Sequence, residues 1–197
     1  MIRNQITWTA NTLFARKGIN SVSMEQIAAA AGVHVEAVMR EFNGMGDLVE
    51  ECVKQNVAKI EKDVSTAQSI SQSPLETLIL VMFVCFKEKS NYCDAFYKDL
   101  GTYSTTNKQL GIYLLKNQDR CAEFFMKCME EGYFVSHENK ERMALIYMEE
   151  ISNMASKYQH KMIRTLLRGI CTDKGLIEAA RIQTIIELKI KQIETIE

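Results

Sequence analysis

A single proline, Pro74, in a chain of 197 residues limits most strongly what this protein can fold into. Only nine glycines accompany it, and proline and glycine are the residues that punctuate a backbone. Sandwiches and barrels need a turn signal roughly every 8–12 residues, which this chain cannot supply. Strand-like alternation is scarce, and Asn43-Gly44 has no alternating runs beside it. The expected fold class is therefore all-α.

The helices announce themselves by their ends. Ile6, Ala10, Leu13 and Phe14 share one face of a first helix, which Gly18 stops. Ser23 and Gln26 have capping-box spacing, so a second helix starts at Met24 and buries Ile27, Ala28 and Ala31. Gly32 permits the left-handed backbone of a sharp turn into a third helix, His34 to Phe42, with Val38 and Phe42 facing inward. A fourth helix is expected to start with Asp47 as its cap and to end within the polar run Ser65 to Ser73. Ser73-Pro74-Leu75-Glu76 is the sharpest helix start, with serine as cap, proline at the first position and glutamate closing the box. The helix after it, to about Lys89, is apolar around most of its circumference and should lie at the centre of a body. Further helices are read at about Tyr92–Leu100, Asn107–Glu131, Asn139–Ser156, Tyr158–Cys171 and Leu176–Gln192.

Composition narrows the function classes. With 47% hydrophobic and 25% charged residues the chain is an ordinary globular sequence, neither disordered nor membrane-spanning. Its longest apolar run, Leu78 to Phe86, falls well short of the ~20 residues a span needs. No signal pattern follows Met1, so a cytoplasmic protein with no membrane partner is expected. A net charge of -1 advertises no global basic field, so any nucleic-acid contact must come from a local patch or from a dimer that doubles one. His34, His137 and His160 are isolated, and no metal-spaced cluster, phosphate-cradling loop or GxSxG motif occurs, so neither an enzyme nor a metal or cofactor protein is read here. The six cysteines include no CxxC pair and read as small buried hydrophobes. Cys121 and Cys128, seven apart, share a helical face, but nothing in the sequence marks either as exposed or acidic.

The second and third helices, joined through Ala31-Gly32-Val33, make a helix-turn-helix. The string ITWTANTLFARKGINSVSMEQIAAAAGVHVEAVMREFNGMGDLVEE resembles the N-terminal head of the TetR family of bacterial regulators. The matching positions are Ile6, Ala10, Leu13-Phe14, Lys17-Gly18, Val22-Ser23-Met24, Ile27-Ala28, Ala31-Gly32-Val33, Phe42 and Asp47-Leu48. More loosely, Glu130–Phe134 and Leu167–Gly175 look like stretches of the body of some members. The resemblance implies a helix-turn-helix domain over residues 1–46 and a helical ligand-binding and dimerisation domain over 47–197, with 47–64 as the connecting helix. It implies a homodimer, most simply a repressor, that binds double-stranded operator DNA and answers to a small-molecule effector.

Carried onto this sequence, the DNA-binding positions are Ser23, Gln26, His34, Val35, Glu36, Met39 and Arg40. A hydrophobic or aromatic ligand would meet Phe83, Phe86, Phe96, Tyr97, Tyr103, Tyr113, Phe124 and Phe125, for which core packing is the plain alternative. The dimer stripes are Leu145, Met148, Ile151, Met154 and Ala155 on one helix and Met162, Leu166 and Gly169 on the next. The departures from the family fall on DNA positions. His34 and Ala37 replace small hydroxylated residues, Met39 a phosphate-binding tyrosine, Met45 a phosphate-binding lysine, and Gly46 a common glutamate. Arg3, Arg16, Lys17 and Arg40 are outnumbered in the head by Glu25, Glu36, Glu41, Asp47 and Glu50. At this point a DNA-binding head, a weakly binding one, and a degenerate head on a small-molecule-binding or interaction protein all remain open.

Overall fold

A computed structural model describes residues 2–103, 108, 119–136, 138–153 and 168–195. The described elements are α1 (Ile2–Lys17), α2 (Met24–Ala31), α3 (Val35–Glu41), α4 (Met45–Ile70), α5 (Pro74–Ser90), α6 (Asp94–Leu100), α7 (119–130), α8 (Lys140–Asn153) and α9 (Asp173–Thr195). The all-α expectation holds among these residues, where the one β feature is an isolated bridge between Phe134 and Cys171. They fall into two compact units, residues 1–60 with 87–113, and residues 61–86 with 114–197.

In the first unit Ile6, Ala10 and Phe14 of α1 meet Ile27 and Ala28 of α2, Val38 of α3, Phe42, and Leu48, Val49 and Cys52 of α4 in one core. Ser23 caps α2 as its spacing predicts: its Oγ accepts from Gln26 N at 3.3 Å, and Gln26 Oε1 accepts from Ser23 N at 3.0 Å. Gly32, at φ 68°, makes the turn. α4 starts two residues earlier than expected. Gly44 takes φ 150°, the helix begins at Met45, and Asp47 sits in its first turn, accepting from Asn43 N at 3.1 Å.

α6 closes this unit over the end of α1. Asp99 accepts from Asn20 N at 2.8 Å and from Asn20 Nδ2 at 2.9 Å, and Cys93 N donates to Ala15 O at 2.9 Å. Gly18 stands between, at φ 81°, where an added Cβ would lie 2.9 Å from Ala95 Cβ and 2.8 Å from Asp99 Oδ2. Gly18→Ala is therefore expected to destabilise the unit by about 1–2 kcal/mol from the left-handed backbone alone, with the α6 contact adding to it. Thermal unfolding with an unchanged midpoint would refute this. A polar tie joins α1 to α4: Asn11 and Asn56 bond reciprocally at 2.9 and 3.1 Å, and Tyr92 OH donates to Asn11 Oδ1 at 2.9 Å. Burial pushes the Tyr92 phenol up, so it stays a donor.

In the second unit Leu75, Leu78, Leu80, Val81, Met82 and Val84 are all buried, as expected of an α5 apolar on every side. Ser73 Oγ caps α5, accepting from Glu76 N at 3.2 Å, but Glu76 does not close the box. Its carboxylate is buried and turns instead to two cations of α9: Arg181 Nη2 at 2.5 Å from Oε2 and Lys189 Nζ at 2.6 Å from Oε1. Locally Oε2 accepts from Gln72 N at 3.4 Å and not from Ser73 N, while the closer partners lie 105 and 113 residues on in the chain.

The two stretches singled out in this half of the sequence dock on each other. Val135 N donates to Ile170 O at 2.9 Å and Thr172 N to Tyr133 O at 3.0 Å, on either side of the Phe134–Cys171 bridge. Thr172 Oγ1 donates to Gly132 O at 2.6 Å and accepts from Gly175 N at 3.1 Å, capping α9. Lys174 Nζ reaches Glu131 O at 2.5 Å and lies 4.3 Å from the Tyr133 ring centre. The expected helix ending near Cys171 is present over 168–170 and gives way to the bridge at Cys171.

Candidate nucleic-acid interface

The face α3 presents is set by what its other face must bury. Ala37 and Val38 point into the core, and Val35 packs partly against it. The period of 3.6 residues then turns His34, Glu36, Met39 and Arg40 outward, and all four are exposed, Met39 at 54%. His34 is the N-cap of α3 by its backbone, and its side chain makes no cap bond, which leaves the imidazole free of the helix end. Ser23 and Gln26 are also exposed, but their oxygens are engaged in the α2 capping box. Of the seven DNA-binding positions expected from the sequence, four thus share the outer surface of α3 and its cap, Val35 supports it from inside, and two hold α2 in shape.

Two residues outside that set fix the ends of α2 and α3. Gln5 Nε2 donates to the carbonyl of Ala31, the last residue of α2, at 2.7 Å. Arg3 Nη1 donates to the carbonyl of Glu41, the last residue of α3. Both carbonyls would otherwise be orphans of a helix end. Arg3 also lies 4.1 Å above the Phe42 ring and 3.8 Å from a Glu51 oxygen. Its charge, counted in the sequence among those available to phosphate, is shared with the Glu41 carbonyl, the Phe42 ring and Glu51, although its side chain is 40% exposed. No local pattern announces this, because the accepting carbonyls lie 26 and 38 residues away.

The aromatic residues expected to hold a ligand divide between the units. Phe96, Tyr97 and Tyr103 belong to the first, where Phe96 is buried and packs 4.3 Å from Tyr92 and 5.3 Å from Tyr97, ring centre to ring centre. Phe83, Phe86, Phe124 and Phe125 belong to the second. There Phe125 is fully buried, 5.4 Å from the Phe134 ring, while Phe83 and Phe86 are half-buried. Tyr113 lies outside the described residues. A cleft of about 460 Å³ opens in the first unit between Trp8, Arg16, Gln55 and Lys59, and none of the expected ligand residues lines it. On α8 Leu145 is 40% exposed beside Ile146, also 40% exposed, and Gly169 is exposed. Met148 and Ile151 fall on α8 with their side chains outside the described set, as are Met154, Ala155, Met162 and Leu166. Among the described residues no group of His, Cys, Asp and Glu could hold a metal, and no helix is long and apolar enough to cross a membrane.

A capped α2, a glycine turn, and an α3 with one face buried and the other bare define a helix-turn-helix protein. Residues 6–52 match the family described as bacterial regulatory proteins, tetR family. A probable HTH-type transcriptional regulator of Bacillus subtilis (strain 168), YttP, is 28% identical over 136 residues, 66% of this chain and 64% of that protein. The chain therefore aligns with less than two thirds of that relative's length. The fold is shared with a TetR-family transcriptional regulator from Agrobacterium tumefaciens, at TM-score 0.72 and 18% identity over 87% of this chain and 98% of the other. It is shared also with the ketosteroid transcriptional regulator KstR2 of Mycobacterium tuberculosis, at TM-score 0.63 and 15% identity over 88% and 96%. Residues 6–52 thus carry the similarity to the tetR family of bacterial regulatory proteins, and the rest of the chain shares the fold.

Proposed function

We propose that this protein regulates transcription in the cytoplasm as a homodimer. In this reading α3 enters the major groove of operator DNA and a small hydrophobic or aromatic molecule in the helical body alters its grip. The reading assigns no catalytic step. The observation that carries it is the bare outer face of α3: His34, Glu36, Met39 and Arg40 stand exposed on a helix otherwise fixed by its core and by Arg3. Arginine can pair with guanine, glutamate can accept from cytosine N4, and methionine can pack on a thymine methyl. Two copies would place their α3 helices in successive grooves ~34–36 Å apart, and a ligand that favours another spacing would release the DNA. The exposed Leu145 and Ile146 on α8 support the pairing of two copies.

A second reading keeps the head but not its grip, leaving a small-molecule-binding or interaction protein. It is favoured by the contacts of Arg3 with the Glu41 carbonyl, the Phe42 ring and Glu51, which compete with phosphate for one of the head's four cations.

Binding of the full chain to its own upstream DNA across a salt series separates the two. Saturable binding that Arg40→Ala abolishes, with a shallow salt slope, is the expected result. Arg3→Ala should weaken binding with the slope unchanged, because that side chain aligns α3 and meets no phosphate. A slope that drops by about 1 in Arg3→Ala would overturn this role. No binding to any upstream fragment at low salt would select the second reading.

A further inference from the structure

Trp8 is the one tryptophan of the chain, and it is 71% exposed on α1. A lone apolar residue at the surface needs no explanation, but this one lines the cleft of about 460 Å³ in the first unit. That volume lies within the ~300–1,000 Å³ of small-molecule sites. Trp8, Thr12 and Arg16, four residues apart, form the stripe that α1 contributes. Gln55 and Lys59, also four apart, come from α4, and Glu88 and Asn91 from the end of α5 and the turn after it. All belong to one compact unit, so the cleft depends on no other part of the chain.

We propose that this cleft binds an arylalkyl carboxylate, with the aryl ring on the Trp8 indole and the carboxylate on the Arg16 guanidinium. The amides that line it already have partners. Asn11 and Asn56 bond reciprocally at 2.9 and 3.1 Å, and Tyr92 OH donates to Asn11 Oδ1 at 2.9 Å. Gln55 Nε2 donates to Glu51 Oε1 at 2.9 Å, and Asn91 Nδ2 to Glu88 Oε2 at 3.1 Å. Among the described residues no hydrogen bond or ion pair occupies Arg16, which is exposed. The indole and the guanidinium are thus left for a ligand. An indole face takes an aromatic ring by offset stacking, and a guanidinium takes a planar carboxylate through two parallel bonds. The lining holds two cations, Arg16 and Lys59, against one carboxylate, Glu88, an excess that one anionic charge balances. A dianion would bring a surplus charge toward Glu88. Length selects further. Eight residues of helix put Trp8 and Arg16 about 12 Å apart along the axis, a gap that the arginine arm, leaning toward the helix N-terminus, shortens. A ring joined to its carboxylate by a short alkyl chain can touch both.

The half-buried part of the lining is stiff and uncharged. Asn11, Asn56 and Tyr92 tie α1 to α4, and burial keeps the Tyr92 phenol protonated, so nothing there repels an anion. The site is separate from the body ligand of the regulatory reading, since Phe83, Phe86, Phe124 and Phe125 take no part in it.

The single tryptophan supplies the readout, because an isotopically labelled full-length chain shows one indole N–H resonance by NMR. The probe is 4-phenylbutyrate, and the expected result is a saturating shift of that resonance. The neutral alcohol 4-phenylbutanol, which keeps the ring, and butyrate, which keeps the charge, should each bind about tenfold more weakly or worse. The dianion 4-phenylbutyl phosphate should bind no more tightly than the carboxylate. Arg16→Gln should raise the Kd for 4-phenylbutyrate about tenfold and leave that for the alcohol unchanged. Arg16 is exposed, so this substitution leaves the core intact. No saturation by about 10 mM, equal affinity for the alcohol, tighter binding of the phosphate, or an Arg16→Gln Kd within about twofold of the parent would overturn the proposal. Binding heat with an unmoved indole resonance would overturn it too, since the probe would then sit elsewhere. None of these readouts involves DNA, so the test stands apart from the regulatory reading.

Discussion

Glu76→Ala will lower the stability of the chain by about 3 kcal/mol, the low end of what breaking a buried ion pair costs. The Glu76 side chain is 1% exposed, and its removal strands Lys189, 14% exposed, and Arg181, 36% exposed. The low end applies because Arg181 can rehydrate where it stands. Among the described residues the Lys189 ammonium, 2.6 Å away, is the one partner of Oε1 and so its compensation. Lys189→Met should therefore cost a similar amount, and the double variant less than the sum of the two. The same cluster sets an acid limit. Burial would push the Glu76 carboxyl up, but its bonds to Lys189 and Arg181 overcome this and hold it below its usual 4.5. A group with a depressed folded pKa contributes stability above its unfolded value and loses it as pH falls through the folded one. The contribution should be complete at neutral pH and fade below about pH 4.5, with Glu178, lowered by Arg181, fading in the same direction. Urea midpoints from pH 7 to pH 3 should fall less steeply in Glu76→Gln than in the parent. Parallel curves would show that Glu76 is not the group responsible.

Gly175→Ala should be the more damaging of the small substitutions, at about 3 kcal/mol or more. Inside a helix this change ordinarily stabilises by ~1 kcal/mol, so the sign itself is the test. Gly175 lies in the first turn of α9 against the Tyr133 backbone, where an added Cβ would come 2.0 Å from the carbonyl oxygen and 3.2 Å from Cys171 Cβ. The obstacle is backbone and cannot rotate away. The first turn of α9 would have to withdraw, taking with it the Thr172 N to Tyr133 O bond at 3.0 Å. Gly169 is the control: it is helical and exposed, and a Cβ there meets nothing within 4 Å. Gly169→Ala should be neutral or slightly stabilising. Equal denaturation midpoints for the two variants would refute the account.

The helix-turn-helix was legible because its signals are local. Ser23 and Gln26 cap within three residues, Gly32 turns within one, and the apolar spacing of Ile27, Ala28, Val38 and Phe42 fixes which faces go inward. Once those faces are buried, the outward direction of His34, Glu36, Met39 and Arg40 follows from helical geometry. The start of α4 was misplaced by two residues, because Gly44 and Asp47 both offer a plausible beginning and the backbone used the glycine. The aromatic set was only partly legible. A Phe or Tyr on a helix announces burial but not the unit in which it is buried, so Phe96 and Phe125 read alike in sequence and lie in different units.

The sequence by itself determined the all-helical class, the caps and breaks, and the face that α3 turns outward. Each of these rests on interactions within about one helical turn. Only the tertiary structure decided that Arg3 closes the end of α3, that Glu76 faces Lys189 and Arg181, and that residues 131–135 clasp residues 170–175. In each case the partners are more than thirty residues apart, and no periodicity within a helix specifies which charge or carbonyl a second helix will bring against it. That choice is made when apolar faces pack and the polar groups carried with them must find partners or remain buried without one.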